Sequence, residues 1–133
     1  MAANNDLKEL INGMTPVLNA GEYVFLSLNN LNEIGRELTV CEFKEKEGVT
    51  VVVEKDIAEG LGYSYDFIAS WITLTIHSPL EAVGLTAAFS TALAKNNISC
   101  NVFAAYYHDH VFVAAKDSEK AIRVLEQLAE GYR

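Results

Sequence analysis

The sequence is short of several things that would each have pointed to a class of function. It has two cysteines, Cys41 and Cys100, 59 positions apart, with no Cys-x-x-Cys and no Cys/His spacing. A disulfide framework and a zinc knuckle are therefore excluded, and a reducing cytoplasm is the expected compartment. No apolar run approaches the roughly 20 residues that span a bilayer, and the Met-Ala-Ala-Asn-Asn start has no apolar signal region, so no membrane partner is expected. Positive charge is also scarce. Ten Lys and Arg face eighteen Asp and Glu, for a net charge of −8. Such a surface repels phosphate backbones, and nucleic acid is excluded as a general partner. Missing too are a Walker loop, a dinucleotide fingerprint and a Gly-x-Ser-x-Gly elbow, which leaves no recognisable active site and no expected cofactor.

The sequence does carry ample core-forming material. Half of its 133 residues are hydrophobic and 21% are charged, enough apolar side chain to offset the entropy of ordering one ordinary domain or two very small ones. The charge is uneven: residues 1–66 hold five basic and twelve acidic side chains, residues 67–133 five and six. Glu42, Glu45, Glu47, Glu54, Asp56 and Glu59 read as a solvated acidic face.

In the first half, Leu7, Leu10 and Ile11 predict a short helix over residues 5–13, and YVFLSL from Tyr23 to Leu28 predicts a strand. Val40–Lys44 and Val49–Glu54 flank an EKEG turn and predict a hairpin, followed by a short helix over Lys55–Leu61. In the second half, WITLTIH from Trp71 to His77 alternates and places Ile72, Leu74 and Ile76 on one face. Ser78-Pro79-Leu80-Glu81 then has the residue order of a helix start, with Ser78 as cap and Pro79 in the first turn. Leu85, Ala88, Phe89, Ala92 and Leu93 give that helix one apolar face, and Asn97 closes it. Ile98–Ala105 and His110–Ala115 predict two strands, and Ala121, Ile122, Leu125 and Leu128 a last helix.

The order β-α-β-β-α is a split βαβ unit without its fourth strand, and an uncovered edge beside apolar strands invites aggregation. The first half resembles an eroded copy of the same unit. The expected fold class is therefore α+β, with two ferredoxin-like modules, residues 1–66 and 67–133. Each has an antiparallel sheet with helices on one face, and the two complete each other by an exchanged strand.

The stretch from Trp71 to Leu128, WITLTIHSPLEAVGLTAAFSTALAKNNISCNVFAAYYHDHVFVAAKDSEKAIRVLEQL, resembles the ACT-domain family, in particular small bacterial proteins of two tandem ACT modules. The resemblance lies in the strand, the loop with Gly84 and Leu85, the Ile98–Phe103 strand, the Asp109 hairpin and the Ala121–Leu128 helix. It implies a regulatory module that binds an amino acid or similar small metabolite where modules meet, with no enzymatic activity of its own. Carried onto this chain, the ligand contacts are His77, Ser78, Val83, Gly84 and Leu85 in the first loop and Ser99, Asn101 and Val102 on the facing strand. Where amino-acid-binding relatives often have Gly-Ile-Asn after the helix, this chain has Asn97-Ile98-Ser99, and Asn101 is the substitute for the polar contact.

Free N–H groups at a helix start also form a carboxylate site on physical grounds, which adds Pro79 and Leu80 to the expected contacts. A homodimer is expected, and the alternative function is a ligand-free dimerisation or protein-docking module that uses the apolar segments Val102–Ala105 and Val111–Ala115. His108-Asp109-His110, with His77 as a third ligand, suggests a metal site. The simpler reading is a polar hairpin tip made by Tyr106, Tyr107, His108 and Asp109, because no fourth ligand has a recognisable spacing, and no metal is expected.

Overall fold

The protein is described from a computed structural model that covers residues 6–76 and 80–131. In chain order these form α1 (Leu7–Asn12), β1 (Thr15–Leu18), β2 (Tyr23–Leu28) and two single 3-10 turns (Leu31–Glu33 and Arg36–Leu38). There follow β3 (Thr39–Lys44), β4 (Val49–Glu54), α2 (Lys55–Gly60), β5 (Ile68–Thr75), α3 (Leu85–Lys95), β6 (Asn101–Ala104) and β7 (Asp109–Ala114). A 3-10 turn (Ala115–Asp117) then leads into α4 (Ser118–Gly131). The chain divides into two compact units, residues 20–69 and residues 1–19 with 70–133.

In the unit of residues 20–69, β4 lies between β3 and β2, and β2 pairs in turn with Ile68 and Ala69 at the start of β5, all antiparallel. Alternation along β2 buries Val24, Leu26 and Leu28 against Val51, Val53, Ile34 and Ala58. The β3–β4 turn is closed by the Glu45 N–H donating to the Gly48 carbonyl at 2.9 Å. A Cβ on Gly48 would stand 2.6 Å from the Leu28 carbonyl oxygen, so only glycine lets this turn approach β2. Between β2 and β3, where a split βαβ unit has its first long helix, the chain makes only the two 3-10 turns. The first is fixed by a capping box between Asn30 and Glu33.

In the other unit the strand order is β1-β5-β7-β6. β1 runs antiparallel to β5 from Thr15 opposite Thr75 to Leu18 opposite Ile72, and β6 to β7 from Asn101 opposite Phe112 to Ala104 opposite Asp109. One sheet face, with Ile72, Leu74, Val111 and Val113, packs against Leu10 and Ile11 of α1, Leu85, Phe89 and Leu93 of α3, and Ala121 and Leu125 of α4. Each large apolar side chain buried there contributes on the order of 1.5–3 kcal/mol. β1 was not expected as a strand. TPVL contains a proline and does not alternate, but it fills the fourth-strand position beside β5 and covers the edge that the β-α-β-β-α order leaves bare.

One correction bears on function. The helix expected from Ser78 and Pro79 begins at Leu85. Ser78 and Pro79 lie outside the described residues, but Leu80 and Glu81 form a turn, and Gly84 caps the helix with φ +96, a left-handed conformation no helix interior accommodates. Glu81 is therefore not in the first turn. The end of α3 matches expectation, with Asn97 at φ 60 and the Ile98 N–H returning to the Leu93 carbonyl at 3.0 Å.

Candidate functional site

Two segments meet in the unit that holds β7 and β6: the turn and first residues of α3, and the tip of the β6–β7 hairpin. The hairpin is held by the Ala104 to Asp109 register pair and by the Ala105 N–H donating to the His108 carbonyl at 3.1 Å. Between the segments is a cavity of about 50 Å³ lined by Leu80, Ala82, Leu85 and Thr86 on one side and Tyr107, His108 and Asp109 on the other.

The electrostatics of this cavity are bipolar. Asp109 is 9% exposed. Burial raises its carboxyl above the ordinary 3.8, and His108 partly offsets the rise. The Nδ1 atom of His108 is buried with no hydrogen-bond partner among the described residues. Opposite them, α3 starts without a side-chain cap among the described residues, which leaves the N–H groups of its first turn and the positive end of its dipole open to a ligand acceptor. A carboxylate that favours a cation and backbone donors that favour an anion thus border one small cavity.

Of the residues expected to bind ligand, the structure brings Leu80 and Leu85 to this cavity. His77, Ser78 and Pro79 lie outside the described residues. Val83 is 88% exposed and does not line the cavity. Gly84 faces a separate open groove of about 580 Å³ between α3 and α4, with Ala88, Ala92 and Leu128. Ser99, Asn101 and Val102 do not line the cavity either, and the Asn101 amide donates instead to the Phe112 carbonyl at 3.2 Å. His108 and Asp109 were read as part of a polar hairpin tip, and His108 with His110 as a possible metal pair. The available signal was a carboxylate next to a histidine at the mouth of an otherwise apolar hairpin.

The two histidines of the hairpin serve different surroundings. His110 lies on the sheet face away from α3 and α4. There the Trp71 indole Nε1–H donates to its Nδ1 at 3.0 Å, and the Thr73 hydroxyl lies 3.2 Å from the same atom. Among the described residues no group of three or more His, Cys, Asp or Glu side chains could hold a metal ion. Burial, then Glu42, pushes the Cys41 thiol up to about 11, and burial raises that of Cys100, which keeps both protonated and unreactive. Among the described residues no helix is long and apolar enough to cross a membrane.

The fold defines a protein made of small α+β modules, each a short antiparallel sheet carrying its helices on one face. Two models of the ACT domain match it in succession, over residues 2–70 and 67–127. The chain belongs to the ACT-domain family and consists of two ACT modules in tandem.

Among solved structures it is similar to a protein of unknown function from Vibrio cholerae, described as a possible transport protein. The identity is 44% over 92% of this chain and 95% of that one, with a TM-score of 0.83. A protein from Agrobacterium tumefaciens is 17% identical over 87% of this chain and 89% of its own, with a TM-score of 0.62. The regulatory subunit of aspartate kinase from Thermus thermophilus, in its ligand-free form, is 11% identical over 85% and 95% of the two chains, with a TM-score of 0.59. The last two likenesses are of fold. No curated protein matches the chain.

Proposed function

We propose that this protein is a non-enzymatic regulatory or sensing module that binds a free amino acid, or a metabolite with the same head group, in the second ACT module. The observation that carries the reading is the bipolar cavity, in which the nearly buried Asp109 lies across from the start of α3, which has no side-chain cap among the described residues. The α-ammonium sits against Asp109 and the α-carboxylate against the N–H groups at Leu85 and Thr86. About 50 Å³ is several times the space a water-sized group needs, which suits a head group and leaves the side chain to project past Leu80 and Tyr107. ACT-family membership and the likeness in fold to an aspartate kinase regulatory subunit support the same role.

Thermal denaturation in the presence of each of the twenty common L-amino acids tests the reading. A ligand at a hundred times its Kd stabilises by about 2.7 kcal/mol, a rise of several degrees. No rise with any amino acid at millimolar concentration rejects the proposal.

A second reading, that the chain is a ligand-free homodimerisation module, draws on the open groove between α3 and α4, where Ala87, Ala88, Thr91 and Ala92 leave room for a helix of a second copy. Light scattering separates the two. A dimer that forms without any amino acid, together with no heat of amino-acid binding, favours the second.

A further inference from the structure

We infer that Leu80 and Tyr107 form the side-chain subsite of the cavity, so that the amino acid it takes carries a large apolar side chain and not a small or charged one. This subsite extends the head-group site proposed above and depends on it.

Leu80 lies in the turn before α3 and Tyr107 at the tip of the β6–β7 hairpin, and both line the cavity, from opposite sides. Yet Leu80 is 70% exposed and Tyr107 67%. Both therefore stand at the rim, with much of their apolar surface in water. A single exposed leucine needs no explanation, but two large side chains from separate segments bordering one cavity form a patch that a ligand can cover. Tyr106 sets its ring edge-to-face on that of Tyr107, with centroids 5.1 Å apart, which limits the ways the Tyr107 ring can turn.

About 50 Å³ holds a head group and little more. The side chain of the ligand then leaves the cavity across the rim, where it meets Leu80 and Tyr107. That contact removes apolar surface from water on both partners, and each further methylene buried in it is worth about fourfold in affinity. A methyl group reaches too little of the rim to gain from it. Charged side chains fare worse. Among the described residues that line the cavity there is no lysine or arginine to pair with an acidic side chain, and Asp109 repels one. A basic side chain finds the same carboxylate already taken by the α-ammonium.

Calorimetric titration with the twenty L-amino acids tests the assignment, using the full chain as wild type, Leu80→Ser, Tyr107→Ser and Tyr107→Phe. In the wild type the tightest ligand is expected among phenylalanine, tyrosine, tryptophan, methionine, leucine and isoleucine, bound at least about tenfold more tightly than alanine. Leu80→Ser and Tyr107→Ser should each weaken that ligand by roughly five- to tenfold and leave alanine within about twofold, so that the ratio narrows, whereas Tyr107→Phe preserves it.

An amino acid outside that set bound as tightly as the best within it overturns the inference and leaves the head-group reading standing. So does a ratio to alanine that is unchanged in either serine variant or lost in Tyr107→Phe. An absence of binding by all twenty overturns both. Because both side chains are mostly in solvent, the serine variants are expected to melt within a few degrees of the wild type. Should one fail to fold, the other and the wild-type order of affinities decide.

Discussion

The single tryptophan, Trp71, donates its indole N–H to Nδ1 of His110 at 3.0 Å, across from β5 to β7. The rings lie 5.8 Å apart, and Trp71 also stacks on Phe112 at 6.2 Å. This bond requires an unprotonated Nδ1. Burial, and secondarily His108, lowers the His110 pKa below its ordinary 6.5. The folded state therefore resists protonation that the unfolded state accepts. The resulting stability is complete above 6.5 and is lost as the pH falls through the lowered folded value. Thermal midpoints measured from pH 8 to pH 5 should fall in that window, with a change in Trp71 fluorescence. In His110→Gln the corresponding part of the profile should flatten.

Asp109→Asn separates stability from binding. A carboxyl raised above 3.8 by burial is a cost to the fold at neutral pH, since the native state favours its protonated form. The amide removes that charge. Asp109→Asn is expected to melt at the same temperature as the wild type or roughly 2–4 °C higher, while amino-acid binding falls at least about tenfold. Scanning calorimetry and titration of one preparation check both.

Gly84→Ala should destabilise by about 1–2 kcal/mol. The left-handed φ of +96 penalises any Cβ, and the added methyl would stand 3.0 Å from Leu7 Cδ2, which can move aside. Urea denaturation followed at 222 nm measures the loss.

Phe89→Ala removes the central side chain of the second core, fully buried between the sheet and α4. A cost of roughly 3–5 kcal/mol is expected, a large part of the stability of a domain this size. A urea midpoint within experimental error of the wild type would show that the α3 packing is wrong.

Asn19→Ala tests the junction of β1 and β5. The Asn19 amide donates to the Trp71 carbonyl at 3.1 Å and to the Thr73 hydroxyl at 2.9 Å. A loss of about 1–2 kcal/mol in denaturation and a shift in Trp71 emission are the expected outcomes.

The sequence showed those elements whose pattern is local. The period of α4, with Ala121, Ile122, Leu125 and Leu128, and the β2 and β4 apolar runs are set by the core they face, and they appear where expected. β1 was invisible because its strand character comes from β5, sixty positions away, and not from TPVL itself. The start of α3 was misplaced because Ser78-Pro79-Leu80-Glu81 satisfies the capping pattern, whereas the helix start is decided by the backbone of Gly84. Asp109 and His108 were hidden among turn residues, since a carboxylate at a hairpin tip is ordinarily solvated. Only its closure against the residues before and within α3 makes it a buried charge.

The pairing of β1 with β5, and the packing of β1 on α4, set an order of events during synthesis. The segment holding Thr15–Leu18 is made before its strand partner, which pairs from Ile72 to Thr75, and well before the helix it packs on, Ser118–Gly131. Until then it is an unsatisfied strand on a growing polypeptide. The second module therefore closes only after α4 has been synthesised, which makes its folding slower than its size alone implies and leaves that strand uncovered in the meantime.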